Sequence, residues 1–191
     1  MSEKDERERR TIRFLSRNSH KLAEAAKILE PSGVSVTKIS EQVDELQTNQ
    51  TTKLVKDKAI RAFQIVGREL FVEHTGLYLE QMNGLPGGLT QLFWDSLEAD
   101  KFSELFGGSA VTAKTIIGYV DPKLMQVKLF EGEVSGTIAP EPDGDRSFQW
   151  DCIFIPEGYE KTFASLGPDV KNEISMRRRA LDKFAVHLKR G

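Results

Sequence analysis

Residues 11–39 run strand, loop, helix, strand, and that order leaves few folds open. Thr11–Leu15 has strand character and enters the polar stretch Ser16-Arg17-Asn18-Ser19-His20-Lys21. Leu22, Ala25, Ala26 and Leu29 then recur at helical spacing until Pro31-Ser32-Gly33 stops them, and Val34–Ile39 reads as a second strand. A strand, a helix and another strand in this order are the signature of an α/β protein. The spacing predicts a second helix over Thr51–Val66, with Val55, Ala59, Ala62, Phe63 and Val66 on one face and Gly67 at its end. A short apolar strand, Leu70–Glu73, follows, then the turn Asn83–Gly88 and one or two short helices within Leu89–Phe106. From Val111 the texture changes. Val111–Val120, Met125–Phe130 and Glu133–Ala139 read as an antiparallel meander, Cys152–Ile155 as a short strand, and a last helix lies within Val170–Lys189. The expected architecture is α/β: a mixed sheet with helices on its faces.

Composition narrows the classes of function. The 191 residues fit one domain, expected over residues 11–191 behind a charged, solvated arm of residues 1–10. That arm lacks the apolar core of a secretory signal, and no apolar run reaches the ~18 residues of a membrane span. One cysteine, Cys152, allows no internal disulfide and no thiolate zinc site, which fits a cytoplasmic protein. The 27 basic and 29 acidic residues nearly cancel, so nothing drives the whole chain towards nucleic acid or an anionic membrane. An anionic ligand therefore needs a local site.

Four segments could build one. The loop Ser16–Lys21 ends at a helix N-terminus, whose free N–H groups and partial positive charge suit phosphate, and Lys21 adds an ammonium there. Without an anion nearby it is an ordinary capped helix start. Glu45 and Glu73 are hard oxygen ligands at strand and loop ends, suited to Mg²⁺ beside a triphosphate, or else surface carboxylates. Phe148-Gln149-Trp150-Asp151 sets aromatic rings, which stack on nucleobases, beside a carboxylate that accepts base N–H groups. Core packing is the alternative for one of those rings. Finally, Lys171-Asn172 and Arg177-Arg178-Arg179 offer cations, and three consecutive arginines cannot share one helical face.

In this order the segments resemble the inosine triphosphate pyrophosphatase (ITPase, Ham-type) family. Ser16–Lys21 resembles its T-x-N-x-x-K loop, Glu45-Leu46-Gln47 its E-x-Q element, and Lys58-Ala59 its lysine-alanine step. Val72–Leu77 resembles V-E-D-T-G-L, Gly84–Gly87 resembles G-x-P-G, and Gly132–Ile138 resembles G-x-x-x-G-x-I. Phe148–Asp151 resembles F-G-W/Y-D, and Lys171–Arg177 resembles K-N-x-I-S-H-R. The resemblance implies a long central mixed sheet with flanking helices, two lobes with a ligand cleft between them, and a homodimer. It implies a Mg²⁺-dependent enzyme that cleaves ITP, dITP or XTP to the monophosphate and pyrophosphate. By the same resemblance Ser16, Asn18, Lys21 and Lys58 would bind phosphate, and Glu45 and Glu73 the metal. Phe148, Trp150, Asp151, Lys171 and Arg177 would form the base site.

Three positions depart from the family pattern: His74 stands for the aspartate of V-E-D-T, Met176 for the histidine of S-H-R, and Gln149 for the glycine of F-G-W/Y-D. An imidazole is a poor ligand for hard Mg²⁺, although it can serve as a base, and losing a central general base costs ~10²–10⁴-fold in rate. The expectation is a chain that binds a purine nucleoside triphosphate with hydrolysis weakened or lost, acting as a sensor or regulatory subunit with an effector protein partner. The competing expectation is an active pyrophosphatase in which His74 or a neighbouring carboxylate activates water.

Overall fold

The computed structural model describes residues 10–190. The expected arm, apart from Arg10, lies outside the described residues. Arg10 itself opens the first strand, β1 (Arg10–Leu15), and its guanidinium is bonded to Glu69, to Tyr119 and to the Leu188 carbonyl.

α1 (Ser19–Leu29) follows, capped by Asn18, whose side chain accepts from the backbone N–H groups of His20 and Lys21. A 3₁₀ turn over Glu30–Ser32, closed by Gly33 at φ 77°, delivers the chain into β2 (Val34–Ile39). α2 (Thr51–Val66) ends at Gly67, also left-handed at φ 63°. β3 runs from Leu70 to Leu79, α3 from Thr90 to Phe106, β4 from Ala110 to Asp121 and β5 from Gln126 to Ile138. β6 (Phe154–Pro156), α4 (Phe163–Ile174) and α5 (Met176–Arg190) complete the order.

The sheet has six strands in the order β2-β1-β3-β4-β5-β6, parallel from β2 to β3 and antiparallel beyond. This is the mixed sheet with flanking helices that the sequence predicts. Four boundaries differ. β3 does not stop at Glu73 but continues to Leu79, paired along its whole length with β4. The two segments read on either side of Gly132 are one strand. Cys152 closes a 3₁₀ turn (Gln149–Cys152) instead of opening a strand. The expected last helix is two helices, broken at Ser175 with ψ 155°.

Each face of the sheet carries its own core. Ile12, Phe14, Phe71, Ile117 and Tyr119 pack under α1 and α5 with Leu29, Leu181 and Phe184. Leu15, Leu70, Val72, Ile116 and Val120 pack under α2 with Leu54, Val55 and Ala59. Neighbouring residues of one strand fall in opposite cores because side chains alternate across a sheet. Gly118 and Gly132 let the helices approach. A Cβ on Gly118 would lie 2.6 Å from Val55 Cγ1 of α2, and one on Gly132 would lie 2.1 Å from the Met176 carbonyl of α5. A third core, with Leu77, Leu79, Val111, Phe102, Trp150, Phe154 and Phe163, lies where β3–β5 extend past the first two and meet α3 and α4. A cavity between α1 and this extension is lined by His20, Glu24, Asp151, Phe163 and Lys171, and Glu73 and His74 sit at the middle of β3.

Candidate functional site

Alternation along β3 sends Glu73 and His74 to opposite faces of the sheet. Glu73 meets α1 and α5. Its carboxylate accepts Arg177 Nε at 2.9 and 3.1 Å and Thr75 Oγ1 at 3.0 Å, and pairs with Lys21 Nζ at 3.1 Å. Burial alone would raise its pKa, but Arg177 and Lys21 outweigh that and hold it far below the usual carboxylate range. Burial pushes Lys21 down, whereas the carboxylates of Glu73 and Glu24 overcome burial at Arg177 and raise it. Glu24 on α1 receives Arg177 Nη1 at 2.5 Å, so one buried guanidinium is clamped between two carboxylates.

His74 faces α2. Its Nδ1 lies 3.0 Å from Glu45 Oε1, and Lys58 Nζ on α2 donates to Glu45 Oε2 at 2.7 Å. Burial raises the Glu45 carboxyl, and the bonds from His74 and Lys58 more than reverse it, to about 2. His74 is buried, and its Nε2 has no hydrogen-bond partner among the described residues. Beside this trio, Ser16, Arg17, Glu41, Asp44, Glu45 and Lys58 border a cavity of ≈ 190 Å³. Ser16 Oγ accepts the Asn18 N–H at 3.2 Å and shapes the loop at its mouth.

The third group lies beyond α1. Lys171 of α4 donates to Asp151, and both are buried. Burial penalises each charge, raising Asp151 and lowering Lys171 against their mutual attraction. Lys171 Nζ also sits 3.9 Å from the Phe148 ring centroid, and His20 meets that ring edge-on at 5.7 Å. His20, Glu24, Phe148, Asp151, Phe163 and Lys171 line a cavity of ≈ 370 Å³. Trp150 packs edge-on against Phe154 in the third core.

The structure thus gathers the expected residues into three neighbouring groups, except Trp150, which faces the third core and not the cavity because its ring is buried against Phe154. Lys21 feels the charges of Arg177 and Lys58, and Asp151 and Lys171 feel those of Arg177 and Glu24. Among the described residues Glu45 and Glu73 share no hydrogen-bond or ion-pair partner: Glu45 is held by Lys58 and His74, and Glu73 by Arg177 and Lys21. Among the described residues no three His, Cys, Asp or Glu side chains converge to hold a metal ion. Mg²⁺ takes octahedral oxygen ligands, and carboxylates already tied to lysine, arginine and histidine do not fit it as they stand. Met176 is buried in the third core. Arg178 pairs with Asp182 on the surface, and Arg179 donates to the Glu133 carbonyl, so of the three only Arg177 joins the buried network with Glu73 and Glu24. His20 and Glu24 are among the lining residues that the sequence reading did not single out. Glu24 is three residues past Lys21 and so on the same helix face, a spacing that could have found it.

No described helix is long and apolar enough to cross a membrane. The Ham1 family model matches residues 12–187. A dITP/XTP pyrophosphatase of Methanopyrus kandleri is 34% identical over 177 residues, covering 91% of this chain and 94% of that protein. An inosine triphosphate pyrophosphatase of Yarrowia lipolytica is 35% identical over 182 residues, covering 93% and 95%. A HAM1 protein of Coxiella burnetii shares the fold with TM-score 0.78 at 23% identity, covering 95% of this chain and all (100%) of that one. The Staphylococcus aureus Ham1 protein does so with TM-score 0.74 at 24% identity, covering 94% and 98%. On the extent of these matches, the chain belongs to the Ham1 family.

Proposed function

We propose that this chain binds a deaminated purine nucleoside triphosphate (dITP, ITP or XTP) in the cleft, hydrolyses it slowly or not at all, and acts as a nucleotide sensor or regulatory subunit. The names of the relatives, dITP/XTP and inosine triphosphate pyrophosphatase, support the ligand class. So does the geometry. The Phe148 ring, the Asp151 acceptor and the Lys171 donor line a cavity large enough for a purine, and Asn18 and Lys21 lie at the start of α1, where phosphate oxygens are favoured. The observation that carries the weakened hydrolysis is the pairing around Glu45. Both its oxygens are engaged, by His74 and by Lys58, and Glu73 is equally engaged by Arg177 and Lys21. Both glutamates are already charge-compensated, so a hard cation or a water proton must compete there with lysine, arginine and histidine. Bound nucleotide then persists, and its occupancy can bias a partner protein. A homodimer and an effector chain belong to this proposal.

One observation favours a second reading. With Nδ1–H donated to Glu45, the unpartnered Nε2 of His74 carries a lone pair, the arrangement of a carboxylate-oriented base. In that reading Nε2 takes a proton from the water that attacks the α-phosphorus, the α–β bridging P–O bond breaks, and pyrophosphate leaves with the monophosphate remaining.

Calorimetry with ITP, dITP, XTP and dATP, run beside an assay of pyrophosphate with Mg²⁺ present, separates the two. The sensor reading expects selective binding of the first three nucleotides with little product, and a gain of turnover in His74→Asp. Turnover within tenfold of an ordinary relative overturns it, and absence of binding overturns both.

A further inference from the structure

The loop that carries Phe148 and Asp151 is fastened to α3 in two places. Gln149 Nε2 donates to Gln91 Oε1 at 2.7 Å, and Arg146 Nη1 donates to Asp100 Oδ2 at 2.8 Å. Gln91 and Asp100 lie on opposite sides of Glu98, where α3 leaves helical geometry with φ 54° and ψ −175°. Gln149 is itself left-handed, with φ 46°, a conformation that residues other than glycine seldom adopt. Such a residue persists only where its surroundings hold it. Here the Gln91 bond holds the side chain, the Cys152 thiol donates to the Gln149 carbonyl, and Trp150 is buried next to it. Gln149 follows directly on Phe148, which lines the ≈ 370 Å³ cavity, so the turn held at Gln149 is continuous with the cavity wall.

Resting on the proposed function, we infer that Gln149 is a positioning residue: anchored on Gln91, it holds the base loop in register and transmits the state of the base pocket to α3. Both bridges are exposed, so they add little to global stability. Their effect on ligand recognition and on α3 is for that reason separable from folding. The sequence also supplies a reporter. The only two tryptophans are Trp94, on α3 three residues after Gln91, and Trp150, next to Gln149.

The test compares the wild-type chain with Gln149→Ala, Gln91→Ala, their double variant and Gln91→Glu, which keeps an acceptor for Gln149 Nε2. Alanine at position 149 has the same left-handed cost as glutamine and removes only the bond. Calorimetry with ITP is expected to show each alanine variant weakened about threefold to tenfold, the double variant no worse than either, and Gln91→Glu close to wild type. The tryptophan emission change on adding ITP should shrink in the alanine variants, while the thermal midpoint stays within about 2 °C of wild type. In the ligand-free chain, amide exchange over residues 90–97 should quicken in Gln149→Ala and Gln91→Ala alike. Wild-type binding of ITP with unchanged affinity in the variants, or additive losses in the double variant, overturns the inference and leaves the proposed function standing. A wild-type chain that fails to bind ITP overturns the proposed function, and unchanged exchange over 90–97 then overturns the link to α3 as well.

Discussion

Arg177 and Glu73 are buried, and with the partly exposed Lys21 and Glu24 they form a network of two cations and two anions. Each Glu73 oxygen has a charged donor, so removing Glu73 leaves Lys21 without its carboxylate and Arg177 with Glu24 as its one remaining anion among the described residues. Breaking a buried pair costs about 3–5 kcal/mol. Glu73→Gln is therefore expected to lose roughly that much stability in urea unfolding. Asp57→Asn, which breaks the exposed Arg61 pair on α2, should change it by less than ~0.5 kcal/mol. Comparable losses in the two variants would contradict the buried network. The sequence made Glu73, Lys21 and Arg177 visible as chemistry-bearing residues, because they stand inside motifs. It did not show that Glu73 and Arg177 bind each other, since nothing local relates residues 104 positions apart. Glu45 and Glu73 looked alike in the sequence. Strand alternation, legible only once β3 was known to run through residue 73, separates Glu73 from His74 and leaves His74 as the partner of Glu45.

At the level of elements, helices and strands with one dominant pattern were read to the residue: β2 (Val34–Ile39) and α2 (Thr51–Val66) match their predicted bounds. The misread elements are those interrupted by residues serving something else. β3 looked finished at Glu73 because Glu73, His74 and Thr75 break its apolar run, yet those side chains find polar partners in Arg177, Lys21, Glu45 and Thr115. β5 looked split because Glu131-Gly132-Glu133 resembles a turn. Gly132 is there for α5, which crosses close enough that a Cβ would overlap the Met176 carbonyl and the Ala180 nitrogen, at 2.1 and 2.5 Å. Gly132→Ala must push α5 outward, and with it Arg177. A loss of about 1–3 kcal/mol is expected from the overpacking, read by thermal or urea denaturation. Weaker ITP binding should accompany it. Stability equal to wild type would mean that α5 is held less closely than the contact distances require.

For the whole molecule, the charge balance predicts the response to acid. Glu45, at about 2, and Glu73, lower than an ordinary carboxylate, bind protons less readily folded than unfolded. Their contribution is complete above the unfolded value of 4.5 and is lost as pH falls towards 2. Asp151 acts in the opposite sense, since its raised pKa lets the folded state accept a proton earlier, and it offsets part of the loss. The thermal midpoint should fall as pH is lowered from about 5 to 3, and Glu45→Gln should flatten that slope. A midpoint independent of pH in this window would contradict the pairing of both glutamates.

The position of Arg177 in the chain has a consequence for synthesis. Glu24 and Glu73 leave the ribosome 153 and 104 residues before the guanidinium that joins them. Until α5 emerges, a nascent chain has the strands and the acids of the cleft but not the cation that lets both carboxylates be enclosed. Enclosure of the centre of β3 must therefore be among the last events, completed after translation of the closing helix. A chain terminated at residue 175 should accordingly remain protease-sensitive through β3, however complete its first hundred residues.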